Sequence, residues 1–345
     1  MIVLAVPDGA ADPPGNRRTC LEEARTSTLD ALLTGGVLQR VATIPDSLPV
    51  GTEVGLPSLL GVELDAPLPR GLIEAAAADI TLSSDEGAWR IDLVPSLLHG
   101  QEVIDLLDAA VRPLGGQVHR LSGHRFLLTG PRSWGAAPAG PHQTTRPLAD
   151  IAAGAFAAIV EATADALTGT GAHAWPWGAL PAGDLPNVPD LLGCPYTVVT
   201  CGGPAQGIAL LLGCDVATGK SPDVVAAAPA GSIVVVHDPG PDDAGHARDR
   251  AGKVAAIERF DREVLTPIVD VLERRGGGLV VSPDHGCDPA TGRHTADPVP
   301  AVLWSAGSPA GGDRPRMTER DASHLAAVPA YVLLAEQLAL HRHAA

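Results

Sequence analysis

Short apolar runs predict the strands of a central β-sheet. Residues 2–6 (IVLAV) show no alternation of apolar and polar side chains, which is typical of a parallel strand covered on both faces. Further strands are expected at 38–44, 196–200 (YTVVT), 232–237 (SIVVVH), 277–282 (GGLVVS) and 301–305 (AVLWS). Helical segments such as AQGIALLL separate several of these runs, and this alternation indicates an α/β fold.

Helical periodicity is clearest near the end of the chain. Residues 253–275 place apolar side chains close to a 3.6-residue period, which predicts an amphipathic helix. Pro267 is expected to kink or split it. A short helix is expected at 27–34. A last helix is expected over 325–340, where Pro329 is tolerable only in the first turn.

The middle of the chain, residues 66–190, differs from both flanks. It contains most of the loops rich in Gly, Pro and Ala, such as GPRSWGAAPAGPH. Its predicted elements are a helix at 101–111, a strand at 125–128 and a helix at 148–167. We therefore expect an α/β core domain, formed by 1–65 and 191–345, with a smaller α+β domain inserted at 66–190.

Composition narrows the classes of function. The chain has 345 residues and a formal net charge of −16, which argues against nucleic acid or an anionic membrane as a partner. Five cysteines without a C-x-x-C motif argue against a disulfide framework or a cysteine zinc site. The first apolar run lacks the basic region of a signal peptide, and no run is long enough to span a membrane. We expect a cytoplasmic protein, and its oligomeric state stays open.

Carboxylate and imidazole side chains follow three of the predicted strands. They are Asp8 after the first run, Asp242 and His246 after SIVVVH, and Asp284, His285 and His294 after GGLVVS. Ligands of open α/β sheets gather beyond the carboxyl ends of the strands. Mixed Asp and His donors suit a catalytic pair of divalent ions better than a structural zinc. Each residue alone could belong to an ordinary polar turn, so the prediction depends on their joint occurrence.

Thr52 is the candidate nucleophile. It lies in VGTEVG, within a Pro- and Gly-rich loop at 45–61 that leads into a short helix. A hydroxyl bound to a metal ion loses its proton more easily and becomes a usable nucleophile. The alternative is that Thr52 is the N-cap of the helix. Glu53 either accepts a substrate hydroxyl or faces water.

Distinctive motifs occur along almost the whole chain. They are PDGAAD, LPVGTEVGLPSLLG, PRGLIEAA, AWRIDLV, AGPH, WPWG, DDAGHARDRAGKVAAIERFD, SPDHGCDP and HTADPVP. Together they resemble the archaeal-type, cofactor-independent phosphoglycerate mutases of the alkaline phosphatase superfamily. The resemblance implies an alkaline-phosphatase-like core, with the inserted domain serving as a cap that excludes water from the substrate.

The resemblance also implies a role for each candidate residue. One ion would be held by Asp242, His246 and His294, and the other by Asp8, Thr52, Asp284 and His285. Two divalent ions (Mn²⁺, Zn²⁺ or Mg²⁺) and no organic cofactor are expected. Thr52 would be transiently phosphorylated while 3-phosphoglycerate and 2-phosphoglycerate interconvert.

The sequence departs from the family where the substrate would bind. Thr52-Glu53 stands where the family usually has Ser-Asp, and Pro239 lies near the expected place of a family lysine. Candidate substrate ligands are Glu53, Arg70, Arg90, Arg125 and His142. An arginine suits a phosphate or a carboxylate, although each of these could be a surface charge instead.

Two enzymatic functions follow from these features. The first is a mutase acting on phosphoglycerate or on a close analogue such as a phosphonate. The alternative keeps the metal site but makes the enzyme a phosphatase, a phosphodiesterase or a phosphonate-processing hydrolase of a specialised pathway. Either function implies a small anionic substrate.

Overall fold

The computed structural model describes residues 1–15, 17–95, 101–121, 125–141, 144–181, 183–309 and 315–344, and for residues 340–344 it describes the main chain only. His142, a candidate substrate ligand, lies outside these ranges. The chain forms two compact units, one from Met1–Pro67 with Pro186–Ala345 and one from Leu68–Leu185.

Strands and helices alternate through most of the described chain. The strands are β1 (Ile2–Pro7), β2 (Val37–Ala42), β3 (Glu86–Val94), β4 (Gln117–Arg120), β5 (Arg125–Pro131), β6 (His173–Trp177), β7 (Tyr196–Val199), β8 (Asp215–Ala217), β9 (Ile233–Asp238), β10 (Gly278–Val281), β11 (Gly286–Asp288), β12 (Arg293–Thr295), β13 (Val299–Ser305) and β14 (Ala327–Pro329). The helices are α1 (Cys20–Glu23), α2 (Ser27–Leu32), α3 (Thr52–Leu59), α4 (Arg70–Ala77), α5 (Gln101–Val111), α6 (Leu148–Ile151), α7 (Ala155–Ala166), α8 (Val188–Leu192), α9 (Gly203–Leu211), α10 (Ser221–Ala227), α11 (Gly240–His246), α12 (Arg250–Arg259), α13 (Thr266–Arg275), α14 (Glu319–Ala322) and α15 (Leu333–Ala344). None of these helices combines the length and the hydropathy that crossing a bilayer requires.

An eight-stranded sheet organises the first unit. Its strand order is β14-β2-β13-β10-β1-β9-β7-β8, and β13 runs antiparallel to its two neighbours while the other pairs are parallel. Leu4 of β1 stands in register with Val235 of β9 and Val280 of β10, and all three are fully buried. Burial on both faces explains why these runs do not alternate. The predicted α/β class with a mostly parallel sheet is confirmed.

The long helix predicted at 253–275 has a different internal geometry. It begins at Arg250, and residues Phe260–Leu265 form a π-helical segment between α12 and α13. Pro267 directly follows this π-helical segment, as the second residue of α13. Phe260, Leu265 and Ile268 belong to the main hydrophobic cluster, with strand residues of β1, β9 and β10.

Two other helix predictions were partly wrong. The last helix starts at Leu333, because residues 327–329 form β14, which pairs in parallel with β2. Pro329 ends that edge strand, a position that needs no amide donor. The helix predicted at 148–167 is divided into α6 and α7, because Gly154 adopts a φ of +56° that a continuing helix does not allow.

The second unit is built on an antiparallel sheet. Its strand order is β4-β5-β3-β6. Leu107 of α5 and Phe156 of α7 pack in one cluster with Trp89 of β3 and Leu128 of β5. The unit therefore has a hydrophobic core of its own.

Candidate metal centre

Three adjacent strands deliver most of the predicted ligands to one edge of the large sheet. β1 lies between β10 and β9. Asp8 directly follows β1, Asp284 and His285 follow β10, and α11 after β9 carries Asp242 and His246. Since these strands are parallel, their carboxyl ends lie at the same edge. Residues more than 200 positions apart in the sequence are thereby brought together.

The first cluster, called here the Asp8 group, consists of Asp8, Asp284 and His285. His285 Nε2 lies 3.3 Å from Asp8 Oδ1 and 3.6 Å from Asp284 Oδ2. The Oγ1 atom of Thr52 is 3.4 Å from the same nitrogen. The three members are buried. The predicted ligands of one ion are therefore found together, with the candidate nucleophile beside them.

The second cluster, the Asp242 group, consists of Asp242, His246 and His294. His246 Nε2 lies 3.2 Å from Asp242 Oδ2, and His294 Nε2 lies 3.3 Å from Asp242 Oδ1. The two Nε2 atoms are only 2.9 Å apart. His246 is 44% exposed, so this group is more open to solvent than the Asp8 group.

Main-chain carbonyls orient all three imidazoles. The Nδ1 atoms of His246 and His285 lie 2.9 Å and 3.2 Å from the oxygens of Gly292 and Gly286. His294 Nδ1 lies 3.5 Å from the oxygen of Val50. We assign the proton of each ring to Nδ1, which leaves a lone pair on Nε2 facing the carboxylates. This is the second-shell arrangement of metal-binding histidines.

The charges of the two groups fit divalent cations. Asp8 Oδ1, Asp242 Oδ1 and Asp284 Oδ2 are buried and accept no hydrogen bond from any described residue. Unpaired buried carboxylate oxygens are costly. Burial and the neighbouring carboxylate of Asp284 raise the pKa of Asp8 well above its usual value. A divalent cation would reverse that effect and would separate the two facing Nε2 lone pairs.

Asp242 shows the opposite electrostatic effect. Burial alone would raise the pKa of Asp242, but the neighbouring imidazoles of His246 and His294, when protonated, outweigh burial and lower it. The Asp242 carboxylate is thus ionised in the range where a metal ligand must be.

Two glycines allow the ligand segments to approach each other closely. A Cβ atom at Gly9 would lie 2.4 Å from Asp242 Oδ1, and the φ of Gly9 is +59°. A Cβ atom at Gly55 on α3 would lie 2.1 Å from the main-chain oxygen of Asp284. A Cβ atom at either position would force the neighbouring segment to move, and glycine avoids that movement.

Thr52 is the first residue of α3, and it is not the N-cap. The N-cap is Gly51, which has no side chain to cap the helix. Thr52 and Gly55 share a face of α3 because they are three residues apart. The close packing of Gly55 on Asp284 therefore also places the Thr52 hydroxyl beside His285.

Two residues near the groups had no predicted role in the metal centre. His237 lies on β9 opposite Val6, is 6% exposed and has Nε2 3.2 Å from Asp8 Oδ2. Burial lowers the pKa of His237, which favours its neutral form. The sequence signal that could have identified His237 is its place at the end of the apolar run SIVVVH. The buried sulfur of Cys287 lies within 4.8 Å of ligand atoms of the Asp242 group. Burial raises the pKa of the Cys287 thiol.

The second unit contains its own cluster of predicted residues, Arg70, Arg90 and Arg125. Arg90 Nε donates to Asp92 at 2.7 Å, and Arg70 Nε donates to Glu74 at 2.8 Å. Burial lowers the pKa of Arg90 to about 10, and the charges of Arg70 and Arg125 act in the same direction. The Nε atom of Arg125 is buried without a hydrogen-bond partner among the described residues. Three guanidinium groups therefore lie close together.

Comparisons with known proteins agree with this arrangement. A family model described as the Metalloenzyme superfamily matches residues 218–340. The 2,3-bisphosphoglycerate-independent phosphoglycerate mutase of Methanosarcina mazei is 26% identical, over 89% of this chain and 91% of its own. The 2,3-bisphosphoglycerate-independent phosphoglycerate mutase 1 of Archaeoglobus fulgidus is 25% identical to this chain, over 88% of each chain. The predicted resemblance to the archaeal-type mutases is confirmed.

Two solved structures share the fold of this chain. The PH0037 protein from Pyrococcus horikoshii aligns with a TM-score of 0.75 and 21% identity, over 99% of this chain and 97% of its own. The cofactor-independent phosphoglycerate mutase from Thermoplasma acidophilum aligns with a TM-score of 0.61 and 20% identity, over 99% of both chains. The two ligand groups thus occur in a fold that a phosphoglycerate mutase is known to adopt.

Proposed function

We propose that this protein is a binuclear-metal phosphoryl-transfer enzyme that interconverts 3-phosphoglycerate and 2-phosphoglycerate, or a close analogue such as a phosphonate. One observation carries the proposal. The hydroxyl of Thr52 lies 3.4 Å from His285 Nε2, beside carboxylate oxygens of Asp8 and Asp284 that have no other described partner. A buried hydroxyl among metal-type ligands is a good candidate for an activated nucleophile.

The proposed ion ligands divide as the two groups do. Asp242, His246 and His294 would hold one ion, and the Asp8 group with Thr52 would hold the other. When bound, Mn²⁺, Zn²⁺ or Mg²⁺ ions neutralise phosphoryl oxygens and make the threonine hydroxyl more acidic. The carboxylate oxygens of Asp and the ring nitrogens of His bind any of these metals. The availability of each metal therefore decides which one occupies the site.

The proposed reaction needs two displacements at phosphorus. The Thr52 oxygen forms a bond to phosphorus while the bond to the substrate oxygen breaks. The hydroxyl proton of Thr52 is lost, and the departing glycerate oxygen gains one. The glycerate then reorients, and its other hydroxyl attacks phosphorus, losing a proton as the Thr52 hydroxyl is restored. In-line transfer of this kind depends on positioning and charge neutralisation.

The proposed substrate ligands provide charge and shape. Arg70, Arg90, Arg125 and His142 would contact the phosphate or the carboxylate, since arginine forms two parallel hydrogen bonds to either group. Glu53 is 5% exposed, and a Cβ atom at position 51 would lie 2.7 Å from its Oε2 atom. Gly51 therefore leaves room for the Glu53 carboxylate next to Thr52, where it would accept a hydroxyl of the glycerate.

A hydrolase remains the second candidate, and one observation favours it. Pro239 is the N-cap of α11, so this chain has no amine where the family has a lysine before the Asp-His pair. With Thr52-Glu53 in place of Ser-Asp, the groups expected to hold a glycerate are altered. A phosphatase, phosphodiesterase or phosphonate hydrolase would need only the metal centre and the nucleophile.

A phosphorus NMR time course separates the two candidates. Protein loaded with Mn²⁺ is incubated with 3-phosphoglycerate, and metal is removed by chelator before spectra are recorded. A new 2-phosphoglycerate signal without inorganic phosphate is expected for the mutase. Release of phosphate would favour the hydrolase, and no change would move the search to phosphonates and phosphodiesters.

Substitution of Thr52 tests the nucleophile itself. Thr52→Ala should abolish turnover, whereas Thr52→Ser should retain part of it because the hydroxyl is kept. Intact-protein mass spectrometry of rapidly quenched enzyme should show a phosphorylated form in the wild type and in Thr52→Ser. Turnover by Thr52→Ala at a rate near that of the wild type would contradict the proposal.

A further inference from the structure

Lys253 on α12 is a fully buried cation with no assigned role. Its exposure is 0%. The Nζ atom donates to the main-chain oxygen of Ala11 at 3.0 Å, to Asp12 Oδ1 at 2.7 Å, and to the main-chain oxygen of Cys287. A lysine ammonium has three donors. All of them are therefore used, and each bond joins a different residue to α12.

The three acceptors lie on the two segments that carry the Asp8 group. Ala11 and Asp12 follow Asp8 in the segment after β1, and Cys287 follows His285 by two residues. The same segments also meet through the main chain, because the N–H of Cys287 donates to the oxygen of Ala11 at 2.9 Å. Lys253 therefore lies at the point where the two segments join.

The link extends to the Asp242 group. Cys287 on β11 is paired with His294 on β12, so the position of Cys287 determines that of His294. Lys253 also lies on the helix that follows α11, the carrier of Asp242 and His246. One ammonium group thus contacts both segments of the Asp8 group directly, and through the pairing of β11 with β12 it is linked to His294 of the Asp242 group.

We propose that Lys253 is a positioning residue that sets the spacing of the two ligand groups. This role rests on the proposed metal function of those groups. An apolar residue of similar volume often stabilises a core as well as a buried ion pair does, so stability alone gives no reason for a lysine here. Three directed hydrogen bonds from one atom do what an apolar residue cannot, since they define where three acceptors lie relative to one another.

The test compares two variants with the wild-type full-length protein. Lys253→Met keeps the length of the side chain and removes its charge and donors. The double variant Lys253→Met with Asp12→Asn also removes the buried carboxylate charge that Lys253 no longer neutralises, where Arg250 at 3.6 Å and the N–H of Cys20 at 2.7 Å are the remaining partners of Asp12 Oδ2. Mn²⁺ binding is measured by calorimetry and by electron paramagnetic resonance, and unfolding by urea is measured in EDTA.

The control is Gln337→Met. Gln337 is 1% exposed and donates to the main-chain oxygen of Trp304 at 2.9 Å. A Cβ atom at Gly278, the first residue of β10, would lie 2.5 Å from its Nε2 atom. The control therefore affects β10, the strand that precedes Asp284 and His285. It does so at the end of β10 that lies opposite to these ligands.

We expect both Lys253 variants to bind Mn²⁺ about tenfold more weakly, as loss of outer-shell contacts does. The double variant should regain most of the metal-free stability that the single variant loses. Gln337→Met should lose stability while its Mn²⁺ affinity stays unchanged.

If the stable double variant binds Mn²⁺ as tightly as the wild type does, Lys253 is not a positioning residue. The proposed metal function would be unaffected by that result. Wild-type protein that binds no Mn²⁺ would overturn the proposed metal function, and the positioning role with it.

Discussion

The substitution Gly55→Ala tests whether the packing of α3 on the Asp284 main chain positions the nucleophile. The added methyl group would lie 2.1 Å from the Asp284 oxygen. Because that oxygen belongs to the backbone, no side-chain rotation relieves the contact. Either α3 or the segment after β10 has to move.

The size of the movement follows from the contact distance. Cβ atoms essentially never come closer than 3.0 Å to a heavy atom, so the two backbones must separate by about 0.9 Å or more. Thr52 lies on the same face of α3 and moves with Gly55. A misplacement of about 1 Å between reacting groups costs on the order of a hundredfold in rate, and overpacking costs about 1–3 kcal/mol of stability.

The assay measures phosphoryl transfer in a single turnover, with urea unfolding measured in parallel. Gly36→Ala is the matched control, because a Cβ atom there would lie 2.7 Å from the main-chain oxygen of Leu303, before the start of β2 and at the opposite edge of the sheet. Gly55→Ala should lose about a hundredfold in rate and Gly36→Ala should lose stability only. If Gly55→Ala and Gly36→Ala lose the same stability and transfer the phosphoryl group at the same rate, the packing of Gly55 does not position Thr52.

Three further predictions concern the metal, the pH and the arginine cluster. Removing metal with EDTA should lower the unfolding free energy by about 2.7 kcal/mol for each bound ion, relative to protein in Mn²⁺ at a hundred times its Kd. Urea titration measures this difference, and an unchanged midpoint would contradict metal binding. Burial raises the pKa of Glu319 to about 7 from 4.5, so its contribution to stability is full below pH 4.5 and is lost as the pH rises through 7. Glu319→Gln should therefore be more stable than the wild type at pH 8 by at most about 3 kcal/mol, with little difference at pH 4.5. The same difference in stability at pH 8 and at pH 4.5 would show that Glu319 does not titrate in this way. Arg125→Met should raise KM at least tenfold while leaving Mn²⁺ affinity unchanged, whereas Arg132→Met, at an exposed site, should change neither.

Much of the candidate site could be predicted from residue types and from their places after apolar runs. Asp8, Asp284 and His285 directly follow strands whose continuous hydrophobicity identifies them as buried, and the motifs around them are specific. His237 was not predicted as part of the site, because a histidine at the end of an apolar run is no different locally from a core residue. Its proximity to Asp8 depends on the register of β9 against β1.

Lys253 illustrates the same limit. In the sequence it is a polar residue on an amphipathic helix, and the periodicity of 253–275 does not show that its ammonium is buried. Its three acceptors come from segments 34 to 242 residues away. Such contacts depend on the order of strands in the sheet, which no local pattern contains.

The sequence by itself determined the α/β class, the buried parallel strands and the chemical type of the ligands. These properties follow from side-chain hydropathy and from donor chemistry, which act over a few residues. Only the tertiary structure decided that β13 runs antiparallel, that residues 327–329 pair with β2 rather than start a helix, and that a hairpin brings His294 to Asp242. The reason is physical: strand pairing and backbone approach at Gly9 and Gly55 depend on contacts between distant segments, whose free energies outweigh local propensity.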